Sequence, residues 1–253
     1  MKKYLTSGFV NYGCYDESYF QRERCAQLNS DIEQNGLSKL SWGNASIIND
    51  DRTVVSIKAS GVALEKVAHN HIVDVNPETM LSIRSEHEIN LKPSIDLAIH
   101  LTLYELENVK AIIHMHSLYA TVFAQNNMSI HCIGTTHADS FPCDIPIVAN
   151  RVTEAYLAYE SYIGDKLLDC FKKHPGLNAV LLEGHGAFVV GASAAEVLEN
   201  AITLEYCAQL AYHSMMLHNI ASFFKPQSQL RLRSDLQQFH YERKHGINKR
   251  YGQ

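Results

Sequence analysis

The sequence predicts an α/β protein built as a layered sandwich of helices and strands. Helical patterns and β-rich runs are interleaved along the chain, without the strict βαβ alternation of a doubly wound sheet. With 253 residues, 46% of them hydrophobic, the chain can bury one large core. No segment is a convincing linker between domains, so we predict a single domain over residues 17–253 after an irregular N-terminal extension, residues 1–16.

Apolar spacing and end signals define the predicted elements. Gly36 is a C-cap for the first helix, and Ser193 to Glu196 form a capping box for the last long one. Pro146 favours a sheet edge for its strand, and residues 134–139 are predicted to be a polar loop. The predicted helices cover residues 17–34, 97–106, 118–126, 154–173 and 194–218, and the tail from residue 234. The predicted strands cover residues 53–58, 71–75, 79–83, 111–116, 145–148, 178–182 and 187–190.

The strongest functional signal is an apolar run, Ala111-Ile112-Ile113, that leads into His114-Met115-His116. Side chains at i and i+2 of a strand point to the same face, so the two imidazoles are aimed at one point, as a divalent metal requires. The alternative is that one or both are ordinary core or surface histidines. His185, which has glycine on both sides, suits a third ligand because the backbone can approach closely there.

Asp96 adds one carboxylate to this set, although its place at the start of a predicted helix also fits a capping role. Two upstream loops, residues 41–46 and 59–61, offer hydroxyl, amide and backbone N–H groups of the kind that hold an oxyanion. Each loop alone is a weak signal. A cationic metal beside a phosphate cradle indicates carbonyl chemistry on a small phosphorylated metabolite.

Composition excludes some classes of partner and favours one compartment. The net charge of -5 gives no footprint for nucleic acid or for an anionic membrane. The six cysteines are scattered without a Cys-x-x-Cys pair, which fits a reducing compartment. The N-terminus lacks the apolar core of a signal peptide, and no apolar run has the roughly 20 residues of a membrane helix. We therefore expect a cytoplasmic protein.

Five short motifs, in this order along the chain, resemble the class II aldolase/adducin family. They are Gly43-Asn44-Ala45-Ser46, Lys58-Ala59-Ser60-Gly61, Pro93-Ser94-Ile95-Asp96, His114-x-His116 and Gly184-His185-Gly186. Residues 134–139 and the C-terminal stretch 240–253 are similar to the sugar-phosphate 4-epimerase branch of that family. The aldolases usually carry a glutamate after a Ser-Ser pair, where this chain has Asp96. The resemblance covers about residues 17–253 and implies an α/β/α sandwich around a mixed, largely antiparallel sheet.

The resemblance also implies an activity and a set of site residues. The reaction would interconvert L-ribulose 5-phosphate and D-xylulose 5-phosphate by retro-aldol cleavage of C3–C4, rotation of the aldehyde and re-addition. Asp139 and Tyr251 would be the two acid/base groups, and the protein would be a homotetramer with active sites between subunits. The implied metal, Zn²⁺ or another divalent transition metal, would be bound by Asp96, His114, His116 and His185. The substrate phosphate would be bound by Gly43, Asn44, Ser60, Gly61 and Ser94.

Several alternatives stay open. By position alone, Asp139 fits a turn residue and Tyr251 an ordinary tail aromatic, while His137, His240 and Arg243 could orient substrate or tie down the tail. Ile95 replaces a serine that donates to phosphate in the epimerases, which favours weaker binding or a different sugar phosphate. A class II aldolase or dehydratase on a related phosphorylated sugar, and a non-catalytic adducin-like domain, are the competing hypotheses.

Overall fold

The computed structural model describes residues 17–83, 91–151, 159–223, 230–247 and 249, and seven strands of these residues form one sheet. The strands are β1 (Asn44–Ile48), β2 (Val55–Lys58), β3 (Ile72–Val75), β4 (Ala111–Met115), β5 (Ile147–Val148), β6 (Ala179–Leu182) and β7 (Gly186–Gly191). Their order is β3-β2-β1-β4-β7-β6-β5. Only the β5–β6 pairing is parallel within this sheet, which confirms the mixed, largely antiparallel architecture.

Helices cover both faces of this sheet, as expected for a layered sandwich. They are α1 (Glu17–Gln34), α2 (Leu97–Leu103), α3 (Leu118–Gln125), α4 (Thr135–Ser140), α5 (Tyr159–Lys173), α6 (Ala194–Ser222) and α7 (Ser234–His245). Two short 3-10 turns, Leu64–Lys66 and His69–His71, lie between β2 and β3. None of the helices in the described ranges is both long enough and apolar enough to cross a bilayer.

The central strands are buried on both faces, which explains why their sequences are continuous apolar runs. Every residue of β4, β6 and β7 is buried, and these strands supply much of the main hydrophobic core. Strand β5 is at the edge of the sheet, as Pro146 predicted. Helix α1 ends at the predicted residue, Gln34, and Ser193 caps α6 by accepting a hydrogen bond from the Glu196 backbone N–H.

The loop prediction for residues 134–139 is wrong, because these residues form α4. The segment lacks an apolar helical period, and its helix depends on tertiary packing against α6 and α7. The predicted strand at 79–83 is reduced to a single bridge, Val75 to Ser82. Helix α2 ends at Leu103, earlier than predicted, and α6 continues to Ser222.

Three predictions lie wholly or partly outside the described residues. They concern the extension 1–16, the first part of the predicted helix at 154–173, and Tyr251.

Candidate metal centre

Three histidines converge at one end of the sheet, as the sequence predicted. His114 Nε2 lies 3.0 Å from His116 Nε2 and 3.1 Å from His185 Nε2. One ligand atom of each residue lies within 4.8 Å of the others, which makes them a candidate metal-binding group. Their nitrogen atoms come from two places distant in sequence, so the cluster depends on the fold.

The sheet fixes His114 and His185. His114 is a central residue of β4, opposite Asn44 on β1 and Phe188 on β7, and its ring stacks on the Phe188 ring at 4.3 Å between centroids. His185 belongs to the turn between β6 and β7. A Cβ atom on Gly186 would overlap Met115 O, so glycine is required where this turn meets β4.

His116 lies outside the sheet, between the end of β4 and the start of α3. Its backbone N–H donates to Ser38 Oγ at 2.7 Å, and Ser38 is 2% exposed. A Cβ atom on Gly43 would lie 2.6 Å from His114 O and 2.9 Å from Ser38 Oγ. The loop that carries Gly43 therefore packs directly against the backbone of the two histidines.

The protonation state of the cluster suits a metal cation. His114 Nδ1 lies 3.0 Å from Ala187 O. A carbonyl oxygen only accepts, so Nδ1 carries the proton and the Nε2 lone pair faces the other two rings. Burial, followed by the proximity of His114, lowers the pKa of both His116 and His185 to about 4. Imidazole lone pairs are the donors that a divalent transition metal binds, so the residues fit the metal.

Asp96 lies beside the cluster and is not a cap. It occupies the N-cap position of α2 without a capping hydrogen bond, and Asn44 Nδ2 donates to its Oδ2 at 2.6 Å. Burial raises the pKa of Asp96, but His114, His100 and the bond from Asn44 outweigh that effect and lower it. The group of mutually close donor atoms contains the three histidines without Asp96, and Asp96 as a fourth ligand stays a prediction.

The predicted phosphate-binding residues lie on two loops that meet. Ala59 and Pro93 form a β-bridge, which places Ser60 and Ser94 on adjacent segments. Ser94 is buried, and its Oγ lies 3.5 Å from Asp96 Oδ2, whereas Ser60 and Gly61 are exposed.

Asn44, predicted to bind the same phosphate, is 2% exposed. Its Nδ2 is occupied by Asp96, and its Oδ1 has no partner among the described residues. The Asn44 side chain therefore links β1 to Asp96.

Lys58 is a candidate that the sequence reasoning missed. Its side chain is 2% exposed, and its Nζ donates to Val62 O at 2.8 Å and to Ala59 O at 3.3 Å. Burial lowers the pKa of Lys58 to about 8, and the negative charge of Asp96 opposes part of this effect. The available signal was a lysine at the end of a buried β-rich run, directly before Ala59-Ser60-Gly61.

Asp139 is engaged by the C-terminal helix. Its Oδ1 accepts from His240 Nδ1 at 2.9 Å, and its Oδ2 accepts from Arg243 Nη2 at 3.1 Å. His245 Nε2 donates to the Asp139 backbone oxygen at 2.9 Å. Burial raises the pKa of Asp139, but Arg243 and His240 lower it by more than burial raises it. The pKa therefore lies below its usual value, and the carboxylate is ionised at neutral pH. His240 and Arg243 therefore tie α7 to α4, one of the two roles that the sequence left open.

The neighbours of Asp139 border the end of the sheet opposite to the three histidines. Ala111 of β4 pairs with Gly191 of β7 at one end of these strands, and Met115 pairs with Ala187 at the histidine end. Ser140 and His245, the immediate neighbours of Asp139, line one cavity together with Gly191. Within one subunit, Asp139 is not part of the group of close donor atoms that the three histidines form.

His137, the remaining second-tier candidate, is buried, and its Nε2 lies 2.8 Å from Cys143 O. This contact with the Cys143 carbonyl holds the imidazole in the protein interior, which is a structural role for His137.

Comparisons with known proteins indicate the family of the chain. Residues 23–212 match the family described as Class II Aldolase and Adducin N-terminal domain. The chain is 35% identical over 239 residues to the "Probable L-ribulose-5-phosphate 4-epimerase UlaF" of Mycoplasma pneumoniae (strain ATCC 29342 / M129 / Subtype 1), a match that covers 92% of this chain and 94% of that relative.

Solved structures share the fold at lower identity. An L-fuculose 1-phosphate aldolase superposes with a TM-score of 0.69 at 20% identity, covering 91% of this chain and 99% of that one. A sugar-phosphate aldolase from Thermotoga maritima gives a TM-score of 0.61 at 20% identity, covering 80% and 97%. Class II aldolases are metal-dependent, and the histidine cluster is present here. The sequence matches and the shared fold show that this chain belongs to the class II aldolase/adducin family.

Proposed function

We propose that this protein is a metal-dependent epimerase that interconverts L-ribulose 5-phosphate and D-xylulose 5-phosphate. The observation that carries the proposal is the convergence of three imidazoles beside Asp96, in a chain 35% identical to a relative named as a probable L-ribulose-5-phosphate 4-epimerase. In this reaction the C4 hydroxyl loses a proton and the C3–C4 bond breaks. The resulting glycolaldehyde phosphate turns its other face, and the same bond re-forms with inverted configuration at C4.

His114, His116 and His185, together with Asp96, would hold the metal, which we propose to be Zn²⁺. A bound zinc ion supplies Lewis-acid stabilisation of the negative charge that bond breaking leaves on the three-carbon fragment. Three neutral donors and one carboxylate leave a dication with net positive charge, which this role requires. The His114 Nδ1 bond to Ala187 O keeps the Nε2 lone pair directed at the site.

Proton transfer on both faces of the aldehyde requires two acid/base groups. We assign them to Asp139 and Tyr251. We further propose that Ser60, Gly61, Ser94 and the loop of Gly43 and Asn44 bind the phosphate of the substrate. Two features support a phosphate site there: the Ser60 and Ser94 segments are adjacent, and the buried Lys58 Nζ donates to Ala59 O and Val62 O on either side of Ser60 and Gly61.

We propose that the acid/base groups act in a neighbouring subunit of a homotetramer. The position of Asp139 supports this assignment, because its neighbours border the end of the sheet opposite to the histidines and it is not part of its own subunit's histidine cluster. Four exposed apolar side chains next to site residues in sequence also support a subunit contact at the histidine end of the sheet. They are Leu40 (62% exposed), Trp42 (55%), Ile95 (73%) and Leu118 (66%).

The direct test is incubation of the zinc-loaded protein with L-ribulose 5-phosphate and detection of D-xylulose 5-phosphate. The wild type should form the product without accumulating free glycolaldehyde phosphate, and accumulation of the aldehyde would indicate an aldolase instead. Asp139→Asn and Tyr251→Phe should each slow turnover by roughly 100-fold or more. Unchanged turnover in both variants would refute the acid/base assignment but would not affect the assignment of the metal ligands.

A complementation experiment tests the action between subunits. Asp139→Asn and His116→Gln proteins, each inactive alone, are unfolded together and refolded as mixed oligomers. If Asp139 serves a neighbour, about a quarter of the sites combine an intact metal centre with an intact Asp139, and activity returns. If Asp139 serves its own subunit, the mixture stays inactive.

We also propose a cytoplasmic location. The cysteines among the described residues are unpaired thiols, which fits a reducing compartment. Fractionation of the source cells, with detection of the protein by antibody, would test it.

A further inference from the structure

The start of helix α3 is held by a carboxylate from another helix. The backbone N–H groups of Tyr119 and Ala120 donate to Glu205 Oε1 and Oε2 at 2.8 and 3.0 Å. Glu205 belongs to α6, the 29-residue helix that packs against α3. These two N–H groups are the second and third of the helix, which a capping side chain normally satisfies.

The local cap at this helix is unused. Ser117 occupies the N-cap position in an extended conformation, but its side chain makes no capping bond. Its Oγ is buried and has no hydrogen-bond partner among the residues that the structure describes. Glu205 therefore replaces Ser117 as the cap, and its negative charge also favours the positive end of the α3 dipole.

This arrangement matters because His116 directly precedes Ser117. His114 is fixed by strand pairing on both sides, whereas His116 has left the sheet. The position of His116 is set by the hydrogen bond from its backbone N–H to Ser38 Oγ and by the first turn of α3, which follows it in sequence. Tyr119 adds a second tie to α6, since its hydroxyl lies 3.2 Å from His213 Nε2.

We infer that Glu205 is a positioning residue for the metal centre: by fixing the first turn of α3 to α6, it holds His116 Nε2 beside His114 and His185. The inference rests on the metal requirement of the proposed function, but it concerns metal affinity and does not depend on which sugar phosphate is the substrate. Partners that orient metal ligands typically change metal affinity by about 10–100-fold when they are lost.

The test compares Glu205→Gln and Glu205→Ala with Glu199→Gln, an exposed glutamate on the same helix. Glutamine keeps the shape of the side chain, but its single oxygen can accept from only one of the two N–H groups. The Glu205→Gln protein should therefore fold even if the Glu205→Ala protein does not. Zinc affinity is measured by competition with a chromophoric chelator. We expect about tenfold weaker binding for Gln, a larger loss for Ala, and wild-type affinity for Glu199→Gln.

Two further readouts separate positioning from simple stabilisation. Co²⁺ in place of zinc should give altered visible absorption bands in the Glu205 variants and unaltered bands in Glu199→Gln. Thermal unfolding of the chelator-treated proteins reports the stability that the cap contributes. Variants that unfold at a lower temperature but bind zinc and Co²⁺ like the wild type would overturn the inference. A wild-type protein that binds no zinc would overturn the metal requirement itself, and the inference with it.

Discussion

Replacing Gly43 by alanine should destabilise the protein more than the same change at Gly36, although both glycines have left-handed backbones. The φ angles are +76° at Gly43 and +68° at Gly36. Alanine at either position should cost about 1–2 kcal/mol for the left-handed conformation. The surroundings differ: no atom lies within 4 Å of a Cβ on Gly36, whereas a Cβ on Gly43 would lie 2.6 Å from His114 O.

The overlap at Gly43 involves backbone of a central strand, which cannot move aside as the end of a flexible side chain could. Overpacking of this kind costs about 1–3 kcal/mol. We therefore expect Gly43→Ala to lose about 2–5 kcal/mol of unfolding free energy and Gly36→Ala about 1–2 kcal/mol. Displacement of His114 should also weaken zinc binding in Gly43→Ala alone.

Urea unfolding of the chelator-treated proteins measures the first difference, and chelator competition measures the second. Equal losses of stability in the two variants, with equal zinc affinity, would show that the loop of Gly43 does not pack against the β4 backbone as described. A loss of stability at Gly43 without a change in zinc affinity would refute the link from this loop to the metal centre.

Three further predictions concern the centre, the core and the tail. His185→Ala should weaken zinc binding by more than about 100-fold, and chelator competition that shows a smaller loss would exclude it as a ligand. His100 is fully buried and bonded to Ser46, and burial lowers its pKa from 6.5 to about 3. The unfolded chain takes up this proton first as the pH falls, so stability is lost below pH 6.5. Between pH 7.5 and 4.5, urea unfolding should show about 2–3 kcal/mol more loss in the wild type than in His100→Gln, and equal losses would contradict a neutral His100. A Cβ on Gly176 would lie 2.5 Å from the Tyr241 hydroxyl, so Gly176→Ala should loosen α7 and speed tryptic cleavage in the tail; an unchanged cleavage rate would argue against this docking.

Much of the fold could be predicted because helices and strands produce local periodicity in the positions of apolar residues. Helix α1 ends at the predicted residue, and continuous apolar runs predict β4 and β6 as buried strands. Helix α4 was missed for the opposite reason. Its sequence has no apolar period, and its buried residues, His137 and Ala138, are covered by other helices.

In the candidate site, too, some contacts follow from the local sequence and others do not. His114 and His116 point the same way because they are two residues apart in an extended chain. Their Nε2 atoms lie 3.0 Å apart in the structure. The burial of Lys58, the bond from Asn44 to Asp96 and the cap from Glu205 join segments that are far apart in sequence. No local pattern records such contacts.

The sequence by itself determined the layered class of the fold, most of its elements and the chemical character of the site, because backbone periodicity and residue type are local properties. The tertiary structure decided that His185 completes the histidine cluster, that Asp96 pairs with Asn44 instead of capping its helix, and that Asp139 is bound by His240 and Arg243 of α7. These are consequences of strand order and helix packing, which bring distant side chains within hydrogen-bonding range and set their desolvation.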